Sequence, residues 1–104
     1  MPPAVIIRRF KYINAKIMSA GHDWAEGNTD LNGLKGLSKV DTFHISPDRG
    51  MAIYYFRKAE HATAALPQLE NSFNDYSKMF DCKITWEMGV FNESLSRKLT
   101  SQVS

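Results

Sequence analysis

Residues 49–56, with the sequence Arg-Gly-Met-Ala-Ile-Tyr-Tyr-Phe, decide the fold of this chain. Their β-branched and aromatic side chains are typical of a β-strand, in which alternate side chains lie on opposite faces. One face then carries Met51, Ile53 and Tyr55, and the other carries Ala52, Tyr54 and Phe56. Because a sheet with one solvated face alternates apolar with polar residues, this stretch predicts a strand that is covered on both faces.

The segments around this strand predict its partners. Residues 47–50, Pro-Asp-Arg-Gly, are typical of a tight turn, since proline fixes φ and glycine accepts a positive φ. We therefore expect strands at 40–46 and 51–57 to form a hairpin. Further strands are predicted at 4–12 and 82–91, and helices at 14–26 and from Ala62 to Phe80.

The second helix has the clearest pattern. Apolar residues follow one another at steps of four and three, at Ala62, Leu66, Leu69, Phe73, Tyr76 and Phe80. Pro67 lies inside this stripe and is expected to kink the helix or to begin a new one. The first helix is predicted to be capped by Asn14 and to stop at Gly27 and Asn28. Residues 27–38 carry a leucine at every third position and are expected to pack on the core as an irregular turn.

The order βαββαβ predicts an α+β fold, a four-stranded antiparallel sheet with two helices on one face. Two helices cover only one face, although the strand at 51–57 is apolar on both. A second copy of the chain is the simplest cover, so we expect a homodimer formed through the sheet face. We expect one domain over 1–91, followed by a polar tail or arm over 92–104 that is either frayed or lies on another surface.

Composition excludes several classes of protein. The 104 residues are 43% hydrophobic and 23% charged, as in an ordinary globular domain. No apolar run is long enough to span a membrane, and the N-terminus does not resemble a secretory signal. A single cysteine, Cys82, excludes an intrachain disulfide, so a cytoplasmic location is expected. The net charge of +2 is too small to indicate a nucleic-acid partner, and no membrane partner is predicted.

The element order and the two apolar sheet faces of residues 4–91 resemble the dimeric α+β barrel superfamily. Its protomers are ferredoxin-like and pair their sheets face to face, and the branch that this chain resembles is that of the antibiotic biosynthesis monooxygenases. The resemblance implies a monooxygenase-like activity that needs no cofactor. Haem-degrading members carry a Trp on the second helix, but residues 59–80 contain none, so haem degradation is not expected.

Two arginines, Arg8 and Arg9, lie in the middle of the first strand and point to opposite faces. At least one is expected to be partly buried, because apolar residues flank it. An uncompensated buried guanidinium is costly, so it needs an anion. Glu87 of the last strand is one candidate, and the carboxylate or phosphate of a ligand is the other.

His44 and Tyr54 are the candidate catalytic residues. If Ile45 opposes Met51 across the hairpin, then His44 and Tyr54 share one face with Phe56, whereas a slip of one residue would separate them. An imidazole beside a phenol can transfer a proton or position a carbonyl group. The alternative is a hydrogen-bonded histidine at a dimer interface.

Methionine and aromatic side chains offer soft walls for an apolar cavity. The candidate ligand-binding residues are Arg8, Phe10, His22, Trp24, Phe56 and Trp86. The expected ligand is amphipathic, either fatty-acid-like or polyketide-like, with its anionic head on Arg8. The chain would then be an enzyme that oxidises or isomerises this ligand, or a carrier or sensor. No metal site is predicted, because His22, His44, His61 and Cys82 lack short ligand spacing.

Residues 49–56 also partly match the RNA-recognition motif on the third strand of a fold with the same element order. The initial Arg-Gly, Ala52 and Phe56 fit that motif. Met51 and Ile53, however, occupy the places of the aromatic residues that stack on bases. An RNA- or protein-interaction domain is therefore a third interpretation, and no nucleic-acid partner is predicted.

Overall fold

The computed structural model of the protein describes residues 2–103. Its elements are β1 (Ala4–Lys11), α1 (Ala15–Asn28), β2 (Leu37–Ser46), β3 (Arg49–Phe56), α2 (Ala59–Phe80), β4 (Lys83–Val90) and α3 (Glu93–Thr100). The first six follow the predicted order βαββαβ. The seventh, α3, forms within the predicted tail, where Asn92 caps it by accepting a hydrogen bond from the Leu95 N–H at 3.1 Å.

The strands form one antiparallel sheet in the order β2-β3-β1-β4, so β1 lies in the interior between β3 and β4. In the hairpin, Phe43 rather than Ile45 opposes Met51, and the pairing is irregular between His44 and Ser46. This register differs from the expected one by two residues. Because side chains alternate with a period of two, the predicted face of His44 is retained.

Helices α1 and α2 lie on one face of the sheet, which we call the covered face. Its core contains Ile6, Phe10, Ala52, Tyr54 and Phe56 from the sheet, and Ala62, Ala65, Leu69, Phe73 and Tyr76 from α2. The opposite face, the open face, carries Val5, Ile7, Met51, Ile53 and Tyr55, all only partly buried. The division of β3 into two apolar faces is therefore as predicted.

Local sequence explains where the helices begin and end. The side chain of Asn14 accepts a hydrogen bond from the Ile17 N–H at 2.9 Å and starts α1, as predicted. Helix α2 continues through Pro67 as a single helix, so proline begins no new element there. It ends at Asp81, whose φ of 48° is left-handed and stops the helix. Within residues 2–103, no helix has both the length and the apolar character needed to cross a membrane.

The segment between α1 and β2 is irregular, as expected, and its leucines Leu31 and Leu34 pack against the core. Strand β2 begins at Leu37, three residues earlier than the pattern predicted. Its covered side is poorly protected, because Thr42 and His44 face the side of the helices and yet are exposed. The helices therefore leave a groove above the outer strand of the sheet.

Candidate ligand-binding site

Arg8 lies on interior strand β1 and points into the covered face. Its guanidinium carbon is 5.1 Å from the ring centroids of both Phe10 and Phe73. The rings of Tyr76 and Tyr54 are 5.7 and 5.9 Å away. Aromatic faces attract a cation, so these rings partly compensate the loss of water around the guanidinium.

No anion within residues 2–103 completes this environment. The Nε of Arg8 is buried and has no hydrogen-bond partner in residues 2–103, and no carboxylate there lies within ion-pair distance of its side chain. Glu87 instead pairs with Arg9 at 3.0 Å on the open face. The alternation of side chains explains this choice, because Arg9 and Glu87 lie on the same face and Arg8 lies on the other.

A cavity of about 190 Å³ lies beside Arg8 between the two long helices and the sheet. Its apolar walls are formed by Trp24, Leu31, Leu34, Tyr54, Leu69, Phe73 and Tyr76. Its polar lining includes Asn28, Asp30, Gln68, Ser72 and Asp75. We call this space the inner cavity. It places a cation beside a volume whose walls are largely aromatic and aliphatic.

A second space of about 330 Å³, the outer groove, opens between α1 and β2. It is lined by Arg8, Phe10, His22, Ala25, Glu26, Thr42, Phe43, His44 and Tyr76. The two spaces share Arg8, Ala25 and Tyr76 in their walls. Arg8 is therefore within reach of a molecule in either space, or of one that occupies both.

Two histidines stand together in the outer groove. The ring centroids of His22 and His44 are 5.4 Å apart, and the ring of Phe10 is 5.7 Å from that of His22. Burial lowers the pKa of His22 below its ordinary value, and the positive charges of His44 and Arg8 act in the same direction. His22 is therefore neutral at pH 7 and can donate one hydrogen bond and accept another.

Two phenols form a buried hydrogen-bonded pair behind Arg8. The hydroxyl groups of Tyr12 and Tyr76 are 2.5 Å apart. Burial is the main cause that raises the pKa of each phenol, so both remain protonated at neutral pH. Gly21 of α1 makes room for this pair, because a Cβ at that position would overlap the Tyr76 hydroxyl. Because Tyr76 also lines both spaces, this pair lies beside the inner cavity and the outer groove.

The structure brings most of the predicted site residues together. Arg8, Phe10, His22, Trp24, His44 and Tyr54 each line the inner cavity or the outer groove. His44 and Tyr54 share the covered face, but His44 lines the outer groove whereas Tyr54 lines the inner cavity. Phe56 and Trp86 line neither space. Phe56 is 1% exposed in the core, and Trp86 packs against the ring of Phe73.

Phe73 and Tyr76 are cavity residues that the sequence indicated only as part of the apolar stripe of α2. A stripe identifies the buried side of a helix but gives no sign that an arginine lies beneath it. Tyr12 carried no signal beyond its place in a predicted strand. In the part of the chain that the structure describes, no three His, Cys, Asp or Glu side chains cluster closely enough to hold a metal ion.

Solved structures share this architecture over most of the chain. A dimeric ferredoxin-like protein from an uncultured marine organism superposes with a TM-score of 0.68 and 9% identity, covering 88% of this chain and 89% of its own. The cofactor-independent oxygenase SnoaB from Streptomyces nogalater does so with a TM-score of 0.60 and 12% identity, covering 88% and 95%. The chain has a ferredoxin-like fold.

The same ferredoxin-like fold occurs in a protein of unknown function from Nitrosomonas europaea, with a TM-score of 0.65, 11% identity and coverage of 88% and 91%. No protein-family model and no curated protein matches the chain. The predicted resemblance is confirmed at the level of fold. Because one fold supports many chemistries, the function depends on the residues of the site around Arg8.

Proposed function

We propose that the chain is a homodimer whose protomers each bind a small amphipathic molecule, with its anionic or carbonyl group on Arg8. The observation that carries this proposal is the guanidinium itself. It lies among four aromatic rings, its Nε is buried without a hydrogen-bond partner, and Glu87 is engaged elsewhere. The anion that Arg8 lacks within the described chain would come from the ligand.

The free-energy cost of a charged group without partners favours a bound ligand over a core that contains none. Removing a charged group from water without a full set of partners is costly, and cation–π contacts return only about 0.5–2 kcal/mol. A carboxylate, enolate or phosphate can accept two hydrogen bonds from a guanidinium in a planar, charge-assisted pair. Binding such a group would satisfy Nε and offset the desolvation of Arg8.

The shapes of the two spaces suggest how the ligand lies. Its head would bind Arg8 in the wall that the inner cavity and the outer groove share, and its apolar body would extend between Trp24 and Tyr54. His22 and His44 would contact a second polar group from the outer groove. The outer groove, at about 330 Å³, falls within the roughly 300–1,000 Å³ that is typical of small-molecule pockets, and the inner cavity of about 190 Å³ would add to it.

The open face supports the dimer. Its partly buried apolar side chains from β1 and β3 have no helix above them in the structure. Phe43 and Phe91 add large apolar side chains that are 41% and 38% exposed. A stable interface buries about 1,000 Å² or more in total, and pairing of two such faces would supply an apolar centre for it. One protein with a similar structure is described as dimeric.

Two forms of this function differ in chemistry. In the enzymatic form, His44 or Tyr54 moves a proton or orients a carbonyl during cofactor-independent oxidation or isomerisation, an activity class that includes SnoaB. In the second form the protein is a carrier or sensor. The variants His44→Gln and Tyr54→Phe separate the two, because they would abolish turnover by an enzyme and only change the affinity of a carrier.

The decisive experiment compares two adjacent arginines. Fatty acids and aromatic acids are screened by thermal shift and then titrated by calorimetry against the wild type, Arg8→Gln and Arg9→Gln. A ligand at about 100 times its Kd stabilises a protein by roughly 2.7 kcal/mol. We expect binding to weaken at least about tenfold in Arg8→Gln, as for a lost charge-assisted bond, and to persist in Arg9→Gln.

Two results would contradict the ligand proposal. One is that no acid of either class shifts the unfolding transition of the wild type. The other is that a bound acid loses affinity equally in Arg8→Gln and Arg9→Gln, because that would indicate nonspecific attraction to positive charge. Native mass spectrometry of the purified protein reports the dimer and any retained ligand in one measurement.

A further inference from the structure

The C-terminal helix α3 carries apolar side chains that no other part of residues 2–103 covers. Leu95 and Leu99 are one helical turn apart in α3, and Val103 follows three residues after the helix ends; these side chains are 50%, 54% and 77% exposed. Every residue from Glu93 to Val103 is exposed. Within residues 2–103, no hydrogen bond from this segment reaches beyond Asn92, and no ion pair includes its charged residues.

A helix of this kind has little reason to form alone. It spans eight residues, and isolated helices shorter than about 12–15 residues are marginal in water. The radius of gyration of the structure is 15.0 Å. A compact chain of this length has a radius of about 13 Å, so part of the chain projects from the domain. An exposed, projecting helix with one apolar side is typical of a segment that packs against another molecule.

The residues just before α3 show which face of the sheet the helix adjoins. The Phe91 N–H donates a hydrogen bond to the carbonyl of Pro3 at 3.0 Å, which fixes the chain at the end of the sheet. The ring of Phe91 stacks on that of Tyr55, with centroids 6.4 Å apart and planes inclined by 25°. Because Tyr55 belongs to the open face, α3 emerges from the border of the surface that we propose as the dimer interface.

We propose that α3 is an exchanged arm, which packs its stripe of Leu95 and Leu99, together with Val103 just beyond the helix, against the second copy in the dimer. This inference rests on the proposed dimer. In a twofold dimer, the same contact occurs twice, so each arm lies on the partner protomer and receives the partner's arm in return. The arms extend the apolar contact of the two open faces through Phe91 and enlarge the interface at its border.

The test compares the two sides of α3. In the double variant Leu95→Ser and Leu99→Ser the stripe loses its apolar side chains. The matched control, Arg97→Ser and Thr100→Ser, introduces the same residue off the stripe. Sedimentation equilibrium over a dilution series gives the dimer dissociation constant of each full-length protein. We expect the stripe variant to raise this constant about tenfold or more, and the control to leave it within about twofold.

A second measurement keeps the test independent of stability. A photoreactive phenylalanine analogue replaces Leu99, and isotopically light protein carrying it is mixed with heavy wild-type protein before irradiation. Cross-links that join a light residue 99 to a heavy peptide establish contact between copies. Cross-links confined to one chain would show that the arm folds back on its own protomer, and would overturn the proposal.

The outcomes separate the arm from the dimer. If the wild type sediments as a monomer at all concentrations, the proposed dimer fails and the arm exchange fails with it. If the wild type is a dimer and the stripe variant matches the control, the dimer stands and the arm exchange is wrong. If wild-type protein binds anionic phospholipid vesicles through Leu95 and Leu99, with no change in the dissociation constant, the stripe serves a membrane and the proposal is also wrong.

Discussion

Arg8 and Arg9 are neighbours in the sequence and lie in opposite environments. Arg9, on the open face, pairs with Glu87 at 3.0 Å, and the two side chains are 55% and 63% exposed. Arg8, on the covered face, has four aromatic rings around its guanidinium and a buried Nε that finds no hydrogen-bond partner in the part of the chain that the structure describes. An exposed ion pair contributes little to stability, whereas a partly buried guanidinium whose Nε lacks a partner in residues 2–103 lowers it.

The two faces of the sheet also differ in the kind of partner that each one lacks. The covered face has enough apolar material and an excess positive charge, so what it lacks is an anion. The open face has its paired charges and an excess of partly buried apolar side chains, so what it lacks is a nonpolar cover. The first deficiency points to a small ligand and the second to another protein surface.

The largest loss of stability is expected for a substitution in the core of the covered face. Phe73 is 1% exposed and lies 5.1 Å from the Arg8 guanidinium, so Phe73→Ala removes both core volume and a wall of the site. We expect a loss of about 3–5 kcal/mol in the free energy of unfolding, measured with urea. Met79→Ala on the same helix is the control, because Met79 is 51% exposed. Equal losses in both variants would refute the assignment of Phe73 to the core.

The next largest effect is expected on dimer formation, for a substitution on the open face. Ile53 lies on β3, opposite Ile7 of the neighbouring strand β1, and its side chain is on the open face. We expect Ile53→Asp to remain folded and to weaken the dimer by about 2 kcal/mol or more, as for a residue at the centre of an interface. Sedimentation velocity checks the association and circular dichroism checks the fold. Asn74→Asp on the exposed side of α2 adds the same charge elsewhere and should leave the dimer intact.

Replacing the unpaired cation should stabilise the protein in the absence of ligand. In Arg8→Met the partly buried charge is removed and the apolar volume is kept, so we expect a gain of roughly 1 kcal/mol in unfolding free energy. Arg9→Met breaks only an exposed ion pair and should cost at most about 1 kcal/mol. Urea denaturation of both variants decides the matter. A marked destabilisation by Arg8→Met would mean that the arginine stabilises the core itself.

The smallest effect concerns pH. The pKa of His22 lies below its ordinary value of 6.5 in the folded protein, chiefly through burial and then through His44 and Arg8, while Asp23 opposes the shift. The unfolded chain therefore binds the proton more readily, and stability falls as the pH drops through 6.5 toward the folded pKa. We expect the urea midpoint of His22→Gln to depend less on pH over this window.

The pKa of His22 also shows whether the charge of Arg8 acts on the outer groove. Arg8→Met should raise the pKa of His22, since one of the positive charges that lower it is gone. Titration of the imidazole protons by NMR measures this change directly, with Arg9→Met as the control. An unchanged pKa in Arg8→Met would show that Arg8 and the outer groove are electrostatically separate.

Much of the fold could be predicted from local pattern. The apolar residues of β3 determined that both faces of the sheet would be apolar, and the stripe of α2 determined which side of that helix is buried. The structure preserved the predicted face of His44 even though the hairpin register moved by two residues. Periodicity survives such changes because it depends only on which face a side chain occupies.

The site was less accessible to sequence analysis. Alternation predicted that Arg8 and Arg9 point to opposite faces, but it left open which of them Glu87 would reach. That choice depends on the pairing of β1 with β4, which are separated by most of the chain. The contact of Tyr12 with Tyr76 likewise depends on how α2 packs on the sheet. The separation of Tyr54 from His44 follows from the hairpin register, which places Val40 opposite Tyr54 and His44 opposite Gly50.

The sequence by itself determined the element order, the two faces of β3 and the presence of a cation that needs an anion. These properties follow from residue type and from periods of two and of about 3.6 residues, which are local. The tertiary structure alone decided that Glu87 pairs with Arg9 and that, within residues 2–103, the buried Nε of Arg8 has no partner beside the inner cavity and the outer groove. Those outcomes are set by contacts between distant segments, where several partners are chemically equivalent and only packing selects among them.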